Sequence, residues 1–158
     1  MPVKPIPDGY ASVTPYLIVK GAARAIEYYK KALGATELMR LTDPTSGRVG
    51  HAEIQLGDSR VMLADEHPEM NILGPQSLGG TAVGLAYYVA DVDAAFDRAV
   101  AAGATVVRPV QDQFYGDRSG TLIDPFGHKW TLSTHKEDVP DEEMHKRMEA
   151  AMKKGGTC

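Results

Sequence analysis

Cysteine is all but missing from this sequence: the single one, Cys158, is the last residue. A lone thiol excludes an internal disulfide framework, and the expected compartment is a reducing one, the cytoplasm. Long apolar runs are missing too, so no stretch reads as a membrane-spanning helix and no membrane partner is expected. The opening Met1-Pro2-Val3-Lys4-Pro5-Ile6-Pro7 lacks the apolar centre of a signal peptide, and its alternating prolines predict an extended arm. Positive charge is not in excess either. The formal net charge is -4, with Lys and Arg scattered singly, which excludes the basic footprint of a nucleic-acid binder. What is present, 43% hydrophobic and 24% charged residues over 158 positions, is enough to build one globular domain with a core. A small-molecule protein is the class left standing.

A pattern of elements runs through the chain twice. The β-branched and aromatic run from Val13 to Val19 predicts a strand, broken by Lys20-Gly21. Ala22, Ile26, Tyr29 and Leu33 then recur at helical spacing up to Gly34, a C-terminal stop. Three strands follow, at 37–41, 49–56 and 60–64, the last two joined through the turn signal Gly57-Asp58. Segment 66–81 is rich in Pro, Gly, Asn and Ser without periodicity and reads as a linker. The series then restarts, with a strand at 83–89, Asp91 as an N-cap, and a helix striped by Val92, Phe96, Ala99 and Val100. Gly103-Ala104-Thr105 ends that helix as Gly34-Ala35-Thr36 ends the first, and strands at 105–110, 119–123 and 129–133 follow. The expected fold is therefore α+β, two βαβββ units at about 11–65 and 82–135. One helix covers only one face of a four-stranded sheet, so a pair of units is expected to share a central cleft.

After Val139, Pro140 and the acidic Asp141, Glu142 and Glu143 open a helix over about 139–154, with Lys146, Arg147, Lys153 and Lys154 towards its end. Met144, Met148 and Met152 form a stripe suited to packing on this domain or on a second subunit.

The repeat, the segment from Tyr28 to Ala35 and the turn Asp124-Pro125-Phe126-Gly127-His128-Lys129-Trp130 resemble the vicinal oxygen chelate superfamily. That superfamily includes glyoxalase I, extradiol dioxygenases, and fosfomycin and bleomycin resistance proteins. Gly50 to Ile54, Met62 to Asp65 and Phe114 to Arg118 bring the likeness closer to its PhnB-like branch, over about 11–135. The resemblance implies a homodimer. It also implies that any metal ligands would come from the first and last strands of each unit, where register on the helix starts and the Asp-Pro-Phe-Gly turn puts Thr14, Leu63, Gly84 and Thr131. A divalent metal needs imidazole, carboxylate or thiolate donors, so no metal and no other cofactor are expected.

His51 and Glu53 lie two apart on one strand and hence on one face. In an enzyme they suit a general base with its orienting carboxylate or a pair of metal ligands, and in a binding protein hydrogen-bonding groups. Tyr115 offers a flat ring with a polar tip and Arg118 a fork of donors for an anionic group. Thr14, Tyr16, Leu63, Tyr88, Thr131 and Ser133 complete the expected lining by strand alternation. Two functions follow: bleomycin-resistance-like capture of a small organic molecule without metal, or a lyase, isomerase or dioxygenase-like enzyme built on His51 and Glu53.

Overall fold

The computed structural model describes residues 2–155, so Cys158 lies outside the described residues. The first unit comprises β1 (Tyr16–Val19), α1 (Ala22–Leu33), β2 (Thr36–Thr42), β3 (Val49–Leu56) and β4 (Ser59–Asp65). Its sheet has the order β1-β4-β3-β2, with β1 parallel to β4 and the other pairs antiparallel. The second repeats it: β5 (Gly84–Tyr88), α3 (Val92–Ala101), β6 (Thr105–Asp112), β7 (Asp117–Ile123) and β8 (Lys129–His135), ordered β5-β8-β7-β6 with β5 parallel to β8. In each unit the helix leads from the first strand to the strand at the opposite edge of the sheet, β2 or β6.

Local chemistry sets the boundaries. Gly34 takes a left-handed φ of 71° and closes α1, and the Asp91 carboxylate accepts from Ala94 N–H at 3.1 Å to cap α3. The start of α1 has only Gly21, so the cap comes from across the sheet. Asp65 at the end of β4 accepts from Gly21 N–H (2.9 Å) and Ala22 N–H (2.7 Å) with one oxygen and from Val49 N–H (2.7 Å) with the other. A single carboxylate thus ties the helix start to two strands.

Both helices pack against each other and against the inner faces of the two sheets, making one core that includes Val19, Ile26, Tyr29, Ile54, Leu63, Leu122, Trp130 and Leu132. Asp124 sits inside it, 3% exposed, and joins the units: it accepts from Tyr29 O–H on α1 at 2.6 Å and from Trp130 Nε1–H at 2.9 Å. Burial first, and then the neighbouring carboxylate, push the Tyr29 phenol well above the ordinary tyrosine range, so it remains a donor.

Segment 66–81 is ordered rather than a featureless linker. It carries a 3-10 turn, Pro68–Met70, and a short helix α2, Pro75–Leu78. Buried Glu66 accepts from Gly74 N–H at 2.8 Å, and Gln76 donates to the Pro125 carbonyl at 3.0 Å, so the segment binds β1 to the β7–β8 turn instead of covering a cleft. Helix α4 (Asp141–Lys153) begins just after Pro140 and is fastened by Arg147, which donates to Glu137 (2.8 and 2.9 Å), Glu143 (3.1 Å) and the Phe114 carbonyl (3.3 Å). Met152, at the end of its methionine stripe, is 60% exposed.

Candidate functional site

Strand register decides which side chains share the outer face of the first sheet, the face turned away from the helices. Gln55 pairs with Arg60, Glu53 with Met62, and Tyr16 with Met62, so Tyr16, His51, Glu53, Arg60 and Met62 stand on it together. The polar members form a continuous chain. Tyr10 O–H donates to one oxygen of Glu53, His51 Nε2 lies 3.0 Å from the other, and Tyr16 O–H lies 2.8 Å from His51 Nδ1. A carboxylate only accepts, which assigns the proton to Nε2 and makes Nδ1 the acceptor from Tyr16. Burial lifts the Tyr16 phenol above its ordinary range and keeps it protonated for that role. The arrangement orders His51 by Glu53 and leaves Tyr16, 47% exposed, as its outermost member.

Tyr10 arrives from the N-terminal arm, which runs without helix or strand to β1. Its ring lies 4.4 Å below the guanidinium carbon of Arg60, a cation–π contact. Sequence reasoning missed both residues. Arg60 was legible as an outer-face partner of Gln55, whereas nothing in the arm pointed to Tyr10.

The outer face of the second sheet is set by the pairs Thr121–Thr131, Ser119–Ser133 and Asp117–His135. Thr121 and Thr131 hydroxyls lie 3.0 Å apart, and Tyr115 O–H lies 3.4 Å from Ser119 Oγ, around a hollow of about 170 Å³ that Arg108 also lines. Tyr88 donates to Asp117 at 2.8 Å, a bond that with burial raises its pKa. His135 bridges Asp117 (2.7 Å) and Asp138 (2.8 Å) through its two ring nitrogens. These bonds, Asp117 first, hold its pKa above the usual histidine value.

Two expected lining residues are elsewhere. Leu63 pairs with Leu17 and Ala52 on the helix-facing side of β4 and is fully buried in the core; Met62 holds the outer position instead. Arg118 also faces the helix side of its sheet. Its guanidinium forks onto Asp93 of α3 (2.8 and 2.9 Å) and reaches Asp112 (3.2 Å), so its donors serve that pair and not the outer face. With this register, the outer-face pairs on the first and last strands are Tyr16 with Met62 and Ala86 with Thr131. A phenol, a thioether, a methyl group and a hydroxyl do not fit a divalent metal. His51 and Glu53 are bonded to each other, and no cluster of three His, Cys, Asp or Glu side chains suited to a metal occurs among the described residues.

A third space lies at the seam between the units, with a cavity volume of about 290 Å³. The arm supplies Val13 and Thr14, the β3–β4 hairpin Leu56 and Arg60, and the second sheet Leu85 and Trp130. Its size is close to the lower end of small-molecule sites, about 300 Å³. Thr14 thus lines the seam, Tyr16, His51 and Glu53 the first outer face, and Tyr88, Tyr115, Thr131 and Ser133 the second, so the expected residues other than Leu63 and Arg118 fall into three places.

Comparison with known proteins agrees with this architecture. The chain is 44% identical over 140 residues to an uncharacterized protein of Mycobacterium bovis, covering 87% of this chain and 91% of the relative. The crystal structure of TioX from Micromonospora sp. ML1 is similar with a TM-score of 0.62 at 29% identity, covering 79% of this chain and 98% of that one. A PhnB protein from Bacillus cereus, 19% identical, shares the fold with a TM-score of 0.62 over 78% of this chain and 99% of its own. No helix among the described residues is long and apolar enough to cross a membrane. The family model described as glyoxalase/bleomycin resistance protein/dioxygenase superfamily matches residues 10–132, and the chain belongs to that superfamily.

Proposed function

We propose that the protein captures a small, largely apolar organic molecule without a metal ion, and that the seam between its units is where the molecule sits. The observation that carries this reading is the seam cavity itself, walled in the main by apolar residues such as Val13, Leu56, Leu85 and Trp130, in a chain whose first and last strands present no metal-donor set. Metal analysis of protein purified without chelator is expected to find less than about a tenth of an equivalent, because sites without preset ligands fill poorly. Stoichiometric zinc, nickel or iron would overturn the metal-free reading. Titration with the neutral probe cyclohexanecarboxamide is expected to change the emission of Trp130, the single tryptophan, and no response would overturn the assignment of the seam.

A second reading, a lyase, isomerase or ring-modifying enzyme, draws support from the Tyr16–His51–Glu53–Tyr10 chain. There His51 serves as general base with Glu53 orienting it, and Tyr16 must release Nδ1 before it takes a proton. A His51→Ala variant that retained ligand affinity and lost turnover would favour it. A homodimer is part of the proposal: Leu41 (57% exposed), Val107 (46%) and Tyr88 (60%) are large apolar groups that a second copy would cover. Light scattering that gives a monomer mass at micromolar concentration would remove it.

A further inference from the structure

We infer that the seam cavity selects organic carboxylates, with Arg60 as the group that binds the carboxylate. This rests on the capture reading above and assigns the chemical class of its ligand. Arg60 lines the cavity, and its Nε is buried without a hydrogen-bond acceptor. It takes part in none of the ion pairs among the described residues; its one electrostatic contact is with the Tyr10 ring, 4.4 Å from the guanidinium carbon. A buried N–H donor left unmade is costly, and most such groups have a partner. An acceptor supplied by a ligand would remove that cost. Arg118, Arg147, Arg48 and Arg40 are each held by carboxylates, and Arg24 and Arg98, which are in no ion pair among the described residues, donate to the Lys20 and Ala32 carbonyls.

The chemistry of the wall narrows the class. A guanidinium offers its donors in a planar fork that matches the two oxygens of a carboxylate, and the bond is strengthened where water is excluded. Beyond Arg60 most of the wall is apolar, through Val13, Pro15, Val61, Leu85 and Trp130, with Thr14, Ser59 and Tyr87 adding hydroxyl-bearing side chains, so the body of the ligand is mainly hydrocarbon or aromatic. The other charged side chain of the lining is Asp58, which lies exposed in the β3–β4 turn and accepts from Ser59 O–H at 3.0 Å. One cation facing one solvated carboxylate tolerates a monoanion and disfavours a dianion such as a phosphate monoester. The arm holds Arg60 in place. Gly9, at φ 85°, passes so close to the guanidinium that a side chain there would collide with it, and the ring of the next residue, Tyr10, stacks on it.

Trp130 lines the same cavity and, as the sole tryptophan, reports on its contents. The experiment titrates full-length protein with cyclohexanecarboxylate and with its neutral isostere cyclohexanecarboxamide, following Trp130 emission up to about 10 mM of each. The expected result is binding of the carboxylate at least about tenfold tighter than the amide. In Arg60→Met, which keeps a long apolar chain over Tyr10, the two affinities are expected to converge; in Arg60→Lys, part of the preference survives. Equal affinities in the unaltered protein, or a preference that persists in Arg60→Met, would overturn the carboxylate assignment while leaving capture of apolar molecules intact. Silence of Trp130 towards both probes would overturn both proposals. Cyclohexylmethylphosphate binding more tightly than the carboxylate would replace the monoanion with a dianion and refute the class named here.

Discussion

Asp124 gives the sharpest test of how the units hold together. Its Oδ2 accepts from Tyr29 O–H (2.6 Å) and Trp130 Nε1–H (2.9 Å), and its Oδ1 from Phe126 N–H (2.8 Å) and His128 N–H (3.1 Å). Asp124→Ala leaves all four donors without an acceptor, two of them on side chains at 0% and 2% exposure. At about 1–3 kcal/mol for each buried group left unmade, Tyr29 and Trp130 alone account for roughly 2–6 kcal/mol. With the amide of buried Phe126 added at the same rate, the expected loss is roughly 3–9 kcal/mol, much of a typical stability of about 5–15 kcal/mol. Asp124→Asn separates the contributions. Its carbonyl can keep both turn amides and its NH₂ can donate to a rotated Tyr29 hydroxyl, but Trp130 N–H then faces another donor. The expected cost is about 2 kcal/mol. Urea unfolding followed by Trp130 emission measures both variants at the group they disturb. A loss below about 1 kcal/mol for Asp124→Ala, or an Asn variant less stable than the Ala variant, would refute the reasoning.

Further expectations concern the turn, the arm and a histidine. Gly116 adopts φ 100° and an added Cβ would overlap the Glu137 carbonyl, while its own carbonyl accepts from Lys136 and Glu137 N–H; Gly116→Ala is expected to cost about 2 kcal/mol or more, read as a lower midpoint in thermal unfolding. Tyr10→Phe removes the bond to Glu53 but keeps the ring under Arg60, so amide exchange over residues 3–12 should speed up severalfold while the sheet amides are unaffected. His135 has a raised pKa in the folded state, because Asp117 and Asp138 accept from its ring; its stabilisation is therefore fully present below the unfolded value of about 6.5 and is lost as pH rises through the folded pKa. His135→Gln should flatten that part of the curve of unfolding free energy against pH, and an unchanged slope would show that another group titrates there.

The fold was legible because its signals are local and occur twice. The helix from Ala22 to Leu33, its Gly34 stop, the Asp91 cap and the strand from Val49 to Leu56 each follow from spacing and turn chemistry within about a dozen residues. Errors arose where parity had to be carried across a turn. The two-residue turn at Gly57-Asp58 puts Arg60 opposite Gln55 and so turns Met62 outward and Leu63 inward. Leucine over methionine for the buried position is also what burial tendencies favour. Arg118 shows the converse: a charged residue on the helix-facing side is affordable at the end of the sheet because Asp93, the second residue of α3, stands within reach. Strand alternation gives the side of the sheet, while the partner that makes a charge tolerable there comes from an element 25 residues away in sequence.

The seam was illegible for a deeper reason. Its walls come from the arm before β1, the hairpin between β3 and β4, and β5 and β8, segments that no local period connects. Residue type alone made Arg60 one more scattered cation and Trp130 one more core aromatic. Their meaning depends on Asp124 drawing Trp130 against Tyr29, which fixes the distance between the units and so leaves a space whose floor is aromatic and whose rim carries an unmatched guanidinium. The same buried carboxylate that joins the units therefore shapes the cavity, so Asp124→Asn should weaken cyclohexanecarboxylate binding even though Asp124 is no part of the cavity wall. A loss of affinity in that variant with Arg60 unchanged would tie the strength of the core to the selectivity of the seam.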